Sequence, residues 1–272
     1  MNTTSMNSQH IPDRPITVGL TFIYGLEDRI ELAELLKGVF PIKKGEKLLR
    51  CVGNYIYHSA VSTDIGGQNN ALLYIGHTNN FSVRFMQHND LRSGGSRTGR
   101  KWNEINNELT NNGEICLSLL VNTNFSDDHY FKPKYLKKHM VKKIQKKMNK
   151  YKKSGLYDEV QKEIATYESL LVEGSLLRSL QEYLNNEELG DYREFLWNRN
   201  LASRESLKYL DEDYLLDFKR EFPQALQDIP KTSVGTLKHI VSRRGAVGNA
   251  TSYVFNRKEW KELSPTDIIK LL

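Results

Sequence analysis

Cysteine is scarce in this chain. Its 272 residues hold two, Cys51 and Cys116, with no CxxC spacing, which excludes a disulfide framework and a cysteine-rich zinc site. Two reduced, packed thiols are what remains. Long apolar runs are missing too: nothing approaches the roughly 18 residues that a bilayer span demands, and the mean hydropathy is −0.57. The opening MNTTSMNSQHIPDR lacks a basic start followed by a hydrophobic stretch, so no secretory signal and a cytoplasmic location are expected. No internal repeat and no Gly/Ser linker interrupts the sequence. What is present, 39% hydrophobic and 26% charged side chains, is the composition of a folded chain, long enough for one large domain or two smaller ones.

Charge is unevenly distributed. Thirty-nine Lys and Arg against 33 Asp and Glu give a net charge of +6. Between Lys132 and Lys153 the segment KPKYLKKHMVKKIQKKMNKYKK holds eleven Lys and no acid, a one-sign field that points to a polyanion. Leu136, Met140, Ile144 and Met148 recur every four residues in it, so a helix can bury that stripe and still offer lysines such as Lys142 and Lys146 to phosphates.

In chain order, ITVGLTFIY from Ile16 to Tyr24 reads as a strand, and GLEDRIELAELLKGVF predicts a helix with Asp28 as cap and Gly38 as stop. The segments CVGNYIYHSA and ALLYI, separated by the turn cluster DIGGQNN, predict a β-hairpin over Cys51 to Ile75. The capping side chains of GHTNN then open a helix of the form FSVRFMQHN. A third strand is expected at Ile115 to Val121, and a long helix from about Tyr157 to Leu184 beyond the lysine segment.

Three pieces then converge: a strand carrying Gly53-Asn54-Tyr55, a second carrying Tyr74-Ile75-Gly76, and a helix with Arg84 and His88 four residues apart. In this order and spacing they resemble the GIY-YIG nuclease family, with a departure at Asn54. Arg84, ten residues past Tyr74, matches the family's catalytic arginine, and His88 a histidine found in a subset of it. Glu173-Gly174-Ser175-Leu176-Leu177 fits the E-x-x-L-[LI] pattern whose glutamate binds the metal. Leu196-Trp197-Asn198 resembles the segment ending in the family's asparagine, after a longer gap than usual. The likeness spans about Val52 to Asn198.

The residue types suit phosphodiester hydrolysis on their own terms. That reaction needs an activated water, a counter-charge for the developing phosphorane and a stabilised leaving oxygen. One carboxylate, Glu173, implies one Mg²⁺ or Mn²⁺ per site that keeps most of its waters. Arg84 and His88 at i and i+4 share a helix face; Arg84 would clamp phosphoryl oxygens, and His88 would take the nucleophile's proton or hold a tyrosine that does. Tyr74 is expected to order the attacking water, with Tyr55 contacting the phosphate or sharing that role. A phenol titrates near 10, so its use as a base needs a cation nearby. Alternatives stay open at three positions: Tyr57 shares Tyr55's face, Glu168 precedes Glu173 on the same helix, and Asn198 either orients Glu173 or caps a turn. His58 and His77 flank the motifs and read as hydrogen-bonding bystanders; Gly76 reads as structural. Arg97, Arg100 and Lys101 are expected on the DNA backbone.

The expected fold is α+β, a small mixed or antiparallel sheet flanked by helices, with an inserted basic helix and a C-terminal appendage. Residues 1–50 are taken as a tail with a scaffold strand and helix, 51–202 as the nuclease core with the lysine-rich insertion at about 132–156, and 203–272 as a DNA-recognition or dimerisation region. In that last part Arg243, Arg244, Asn249, Asn256 and Arg257 are types that read base edges. The resemblance implies a metal-dependent, sequence-specific double-strand endonuclease of the type II restriction kind. Such an enzyme is expected to act on double-stranded DNA as a homodimer or higher oligomer, with a DNA methyltransferase as genetic partner. The alternatives are a homing or phage-type nuclease with the same core, and a DNA-binding protein with an inactive one.

Overall fold

A computed structural model describes residues 17–42, 49–59, 72–91, 99–122, 138–156 and 250–272, together with single positions between 159 and 198. The elements are β1 (Thr17–Gly25), α1 (Arg29–Val39), β2 (Gly53–Ser59), β3 (Leu72–Thr78), α2 (Phe81–His88), α3 (Gly99–Asn112), β4 (Glu114–Asn122), α4 (Lys138–Lys153), β5 (Ala250–Phe255), α5 (Arg257–Lys261) and α6 (Pro265–Leu271). The described positions from 159 to 177 are helical as well.

The strands form one sheet in the order β3-β2-β4-β1-β5, antiparallel throughout except for the parallel pair β1 and β5. This is a mixed five-stranded sheet with helices packed on it, an α+β arrangement. Alternation along β1 sends Val18, Leu20, Phe22 and Tyr24 to one face, where their β4 partners Val121, Leu119, Leu117 and Ile115 join them. Leu32 and Leu36 of α1, Phe81 and Phe85 of α2, Ile105 and Leu109 of α3, and Trp260 and Ile268 from the last two helices close the same core. Tyr55 and Tyr57 belong to it at the β2 end.

The expected division of the chain does not match this sheet. Strand β1, assigned to a scaffold outside the nuclease core, lies between β4 and β5. The described part of the expected appendage, 250–272, completes the sheet: Phe255 packs on Phe22 at 5.5 Å between ring centroids, and the Trp260 indole donates to the Ile23 carbonyl at 2.8 Å. Both ends of the described chain are needed to bury one face, and local sequence does not reveal that. Asn256 and Arg257 are correspondingly structural. Asn256 caps α5 by accepting from the Lys258 and Glu259 amides, and Arg257 ion-pairs with Glu27 and Asp28.

Two local expectations also change. Asp28 occupies the residue before α1 but makes no capping bond; its carboxylate accepts instead from the Gly25 amide at 2.7 Å and from Arg257 and Lys261. Gly38 does not stop α1. It lies inside the helix, where Pro265 of α6 approaches so closely that a β-carbon would collide with its ring.

Candidate functional site

The hairpin of β2 and β3 sets the site. Their register places Tyr57 opposite Tyr74, Ile56 opposite Ile75 and Tyr55 opposite Gly76. Because partners across a strand pair share a face, Tyr55, Tyr57 and Tyr74 rise together on the core side, against α2. Gly76 has no side chain there because Tyr55 lies over it: an added β-carbon would strike the phenol ring and its hydroxyl. Asn80 starts α2 by accepting from the Val83 amide at 3.0 Å, and one turn of that helix carries Arg84 and His88 toward the three phenols.

His88 sits among the rings, with centroids 5.3 Å from Tyr55, 5.7 Å from Tyr57 and 5.6 Å from Tyr74. The Arg84 guanidinium carbon is 5.9 Å from the Tyr55 centroid, and Tyr55 and Tyr74 are 5.8 Å apart. Among the described residues, Arg84 Nε and His88 Nδ1 are buried without a hydrogen-bond partner. A buried unpaired polar atom costs about 1–3 kcal/mol, and two of them are carried one turn apart on α2.

Burial pushes the His88 imidazole down to about 3, helped by the charges of Arg84 and Lys101. The expectation that its pKa lies near working pH is therefore corrected: His88 is neutral, fit to orient a phenol rather than to collect a proton. Burial also raises the Tyr55 phenol well above its ordinary value, reinforced by Tyr74, with Arg84 acting the other way. Tyr74 is raised for the same first reason, while Tyr55 and Arg84 lower it and Glu173 opposes them. Either tyrosine thus needs added positive charge before it can serve as a base.

Glu173, distant in sequence, acts electrostatically on both Tyr55 and Tyr74, as Arg84 does. Glu173 is only 5% exposed, and its Oε2 lies 2.5 Å from His77 Nδ1. His77 is therefore not a bystander. His58 is one: it is buried, bonds to Ser118 Oγ at 2.6 Å, and desolvation lowers it to about 3.

Among the described residues Asn198 bonds to Ile75 and not to Glu173. Its amide accepts from the Ile75 N–H at 3.0 Å and donates to the Ile75 carbonyl at 2.7 Å. Strand β3 is the sheet's edge, and Asn198 satisfies the main-chain groups that an edge leaves open. Lys101 is not a free backbone contact either. Its ammonium stands 4.2 Å from the Tyr74 ring centroid, donates to the Trp197 carbonyl at 2.5 Å and pairs with Glu104 at 2.8 Å, so it walls the site. Asn54, the departure in the first motif, points to the other face and donates to the Ser169 carbonyl at 2.7 Å.

Lys142 and Lys146 are exposed on α4 while Met148 is buried. Arg97, Arg243, Arg244, Asn249 and Glu168 lie outside the described residues, as does the side chain of Arg100. Cys51 and Cys116 are buried thiols without a disulfide, and burial pushes Cys116 up to about 12. No helix among the described residues is long and apolar enough to cross a membrane.

Among the described residues no three His, Cys, Asp or Glu side chains gather into a metal cage. The lone buried Glu173 carboxylate suits a hard divalent ion that keeps most of its water shell. Compared with protein family models, curated proteins and solved structures, the chain matches none.

Proposed function

We propose that this chain is a metal-dependent endonuclease of the GIY-YIG type that cuts double-stranded DNA at a specific sequence, in the manner of a type II restriction enzyme. The observation that carries the reading is the cluster in which the Tyr55, Tyr74 and His88 rings lie within 5.8 Å of one another and Arg84, facing Tyr55, has a buried Nε without a partner, while Glu173 acts electrostatically on both phenols. A dianionic transition state would supply the acceptor that Arg84 lacks, and the planar guanidinium donates to two phosphoryl oxygens at once.

Glu173 would hold Mg²⁺ or Mn²⁺, which supplies positive charge at the phosphate and acidifies bound water. Tyr74, the more accessible of the two phenols, orders the nucleophile, and Tyr55 contacts the phosphate. Neutral His88 packs among the phenol rings, while the Lys101 ammonium faces the Tyr74 ring. The exposed lysines of α4 follow the DNA backbone. One metal centre cuts one strand, so cleavage of a palindrome calls for a homodimer, and a host carrying the enzyme would need a matching methyltransferase. The Asn54 departure does not favour an inactive core, since its side chain faces the helix that carries Glu173.

Digesting a plasmid library in Mg²⁺ and sequencing the ends tests this directly. Arg84→Ala and Glu173→Ala should each lose at least about a hundredfold in cleavage, the scale set by removing one transition-state donor, while still shifting DNA in a gel. Full activity in either variant contradicts the site. Intact plasmids with wild-type protein that still shifts DNA would leave a binding protein, and a one-to-one complex on DNA would favour the homing or phage-type alternative.

A further inference from the structure

We infer that Asn54 and His77 form a clamp that sets the orientation of Glu173, with His77 as a positioning residue; the inference rests on the nuclease reading above. The two side chains are cross-strand partners on β2 and β3, on the face opposite the tyrosines. From that face they reach Ser169 and Glu173, two helical positions four residues apart. Asn54 Nδ2 donates to the Ser169 carbonyl at 2.7 Å, and His77 Nδ1 meets Glu173 Oε2 at 2.5 Å. Residues four apart on a helix lie one above the other, so a single strand pair grips one helical turn at its main chain and at its carboxylate.

A glutamate has three side-chain torsions, and neither carboxylate oxygen is fixed by the backbone. With Oε2 held by the Nδ1–H of His77, Oε1 is the oxygen left for a cation. A divalent ion held by Glu173 would meet that oxygen and keep most of its water ligands. The clamp needs only the Nδ1–H tautomer, so it works with a neutral imidazole. It also accounts for the asparagine in the middle of the first motif: position 54 faces Ser169 across the sheet, and an amide donor is what that carbonyl meets. Partners of this kind typically change metal affinity by about 10- to 100-fold when removed.

The test is Mn²⁺ binding to the full chain without DNA, followed by electron paramagnetic resonance, alongside the Mg²⁺ dependence of cleavage. His77→Ala should weaken Mn²⁺ binding about 10- to 100-fold and raise the Mg²⁺ needed for half-maximal cleavage in parallel, with the KM for DNA unchanged. His77→Asn places its amide nitrogen where Nδ1 stood and should restore affinity. His77→Gln places it where Nε2 stood and should not. A folding defect would move the last two variants together, so their difference isolates the hydrogen bond. Unchanged Mn²⁺ affinity in His77→Ala, or rescue by Gln and not Asn, overturns the clamp while leaving the nuclease reading intact. Wild-type protein that binds no Mn²⁺ and cuts no DNA overturns the nuclease reading, and the clamp falls with it.

Discussion

His88 is walled by aromatic rings and faced by two cations, Arg84 and Lys101, so its protonation is opposed twice, by lost solvation and by like charge. Its ring protons, followed by NMR, should therefore show no titration between pH 5 and 8; a midpoint near 6.5 would refute the neutral assignment. Individual residues were legible in the sequence where spacing carried them. Tyr55, Tyr74, Arg84, His88 and Glu173 were all nominated from motif order, and the first four lie together. Tyr57 was harder to separate from Tyr55 because a strand's period puts both on one face; register tells them apart, since Tyr55 lies over Gly76 whereas Tyr57 pairs across the strands with Tyr74 and is fully buried. The partners of Asn54, His77 and Asn198 were not legible, because each bonds to a backbone or carboxylate contributed from about a hundred residues away.

Among the elements, β1, α1, the β2–β3 hairpin, α2, β4 and the lysine helix follow from apolar period and turn residues. Helix α3 did not. It has Trp102, Ile105 and Leu109 at helical spacing, but they are diluted by five asparagines, which favour turns and caps over helix interiors. Strand β5 was missed because its partner β1 lies near the other end of the described chain. The seam that joins these ends is ionic as well as apolar. The Asp28 side chain is fully buried, with Arg257 Nε at 2.6 Å and Lys261 Nζ at 2.5 Å. Burial by itself would raise its pKa, but Lys261, the Gly25 amide and Arg257 outweigh that and hold it low. Asp28→Ala should cost about 2 kcal/mol in urea unfolding, below the loss typical of a wholly buried pair because both cations are about one-third exposed. A change under about 0.5 kcal/mol, the range of an ordinary surface substitution, would show the seam to be held by apolar contact alone.

For the molecule as a whole, these groups share one sign. His58 and His88 titrate near 3 in the folded chain and near 6.5 when unfolded. Between those values the unfolded state binds more protons, so their stabilising contribution is complete above about pH 6.5 and is lost as pH falls toward 3. Each histidine contributes a slope of up to about 1.4 kcal/mol per pH unit in that window. Asp28, also depressed, adds its own loss below its unfolded pKa of about 4. The urea midpoint should thus drop steadily from pH 7 to pH 4.5, and a flat midpoint over that range would contradict the assignment.

The parallel pairing of Thr17 with Ala250 and of Phe22 with Phe255 bears on how the protein is made. At roughly 5–20 residues per second, a ribosome would need some tens of seconds between synthesising β1 and β5. Throughout that interval the outer rim of β1 has no strand beside it, and an uncovered rim invites pairing with a neighbouring nascent chain. Slowing elongation just before Ala250 would prolong that exposure, whereas covering the rim with a helper protein during synthesis would raise the yield of folded protein.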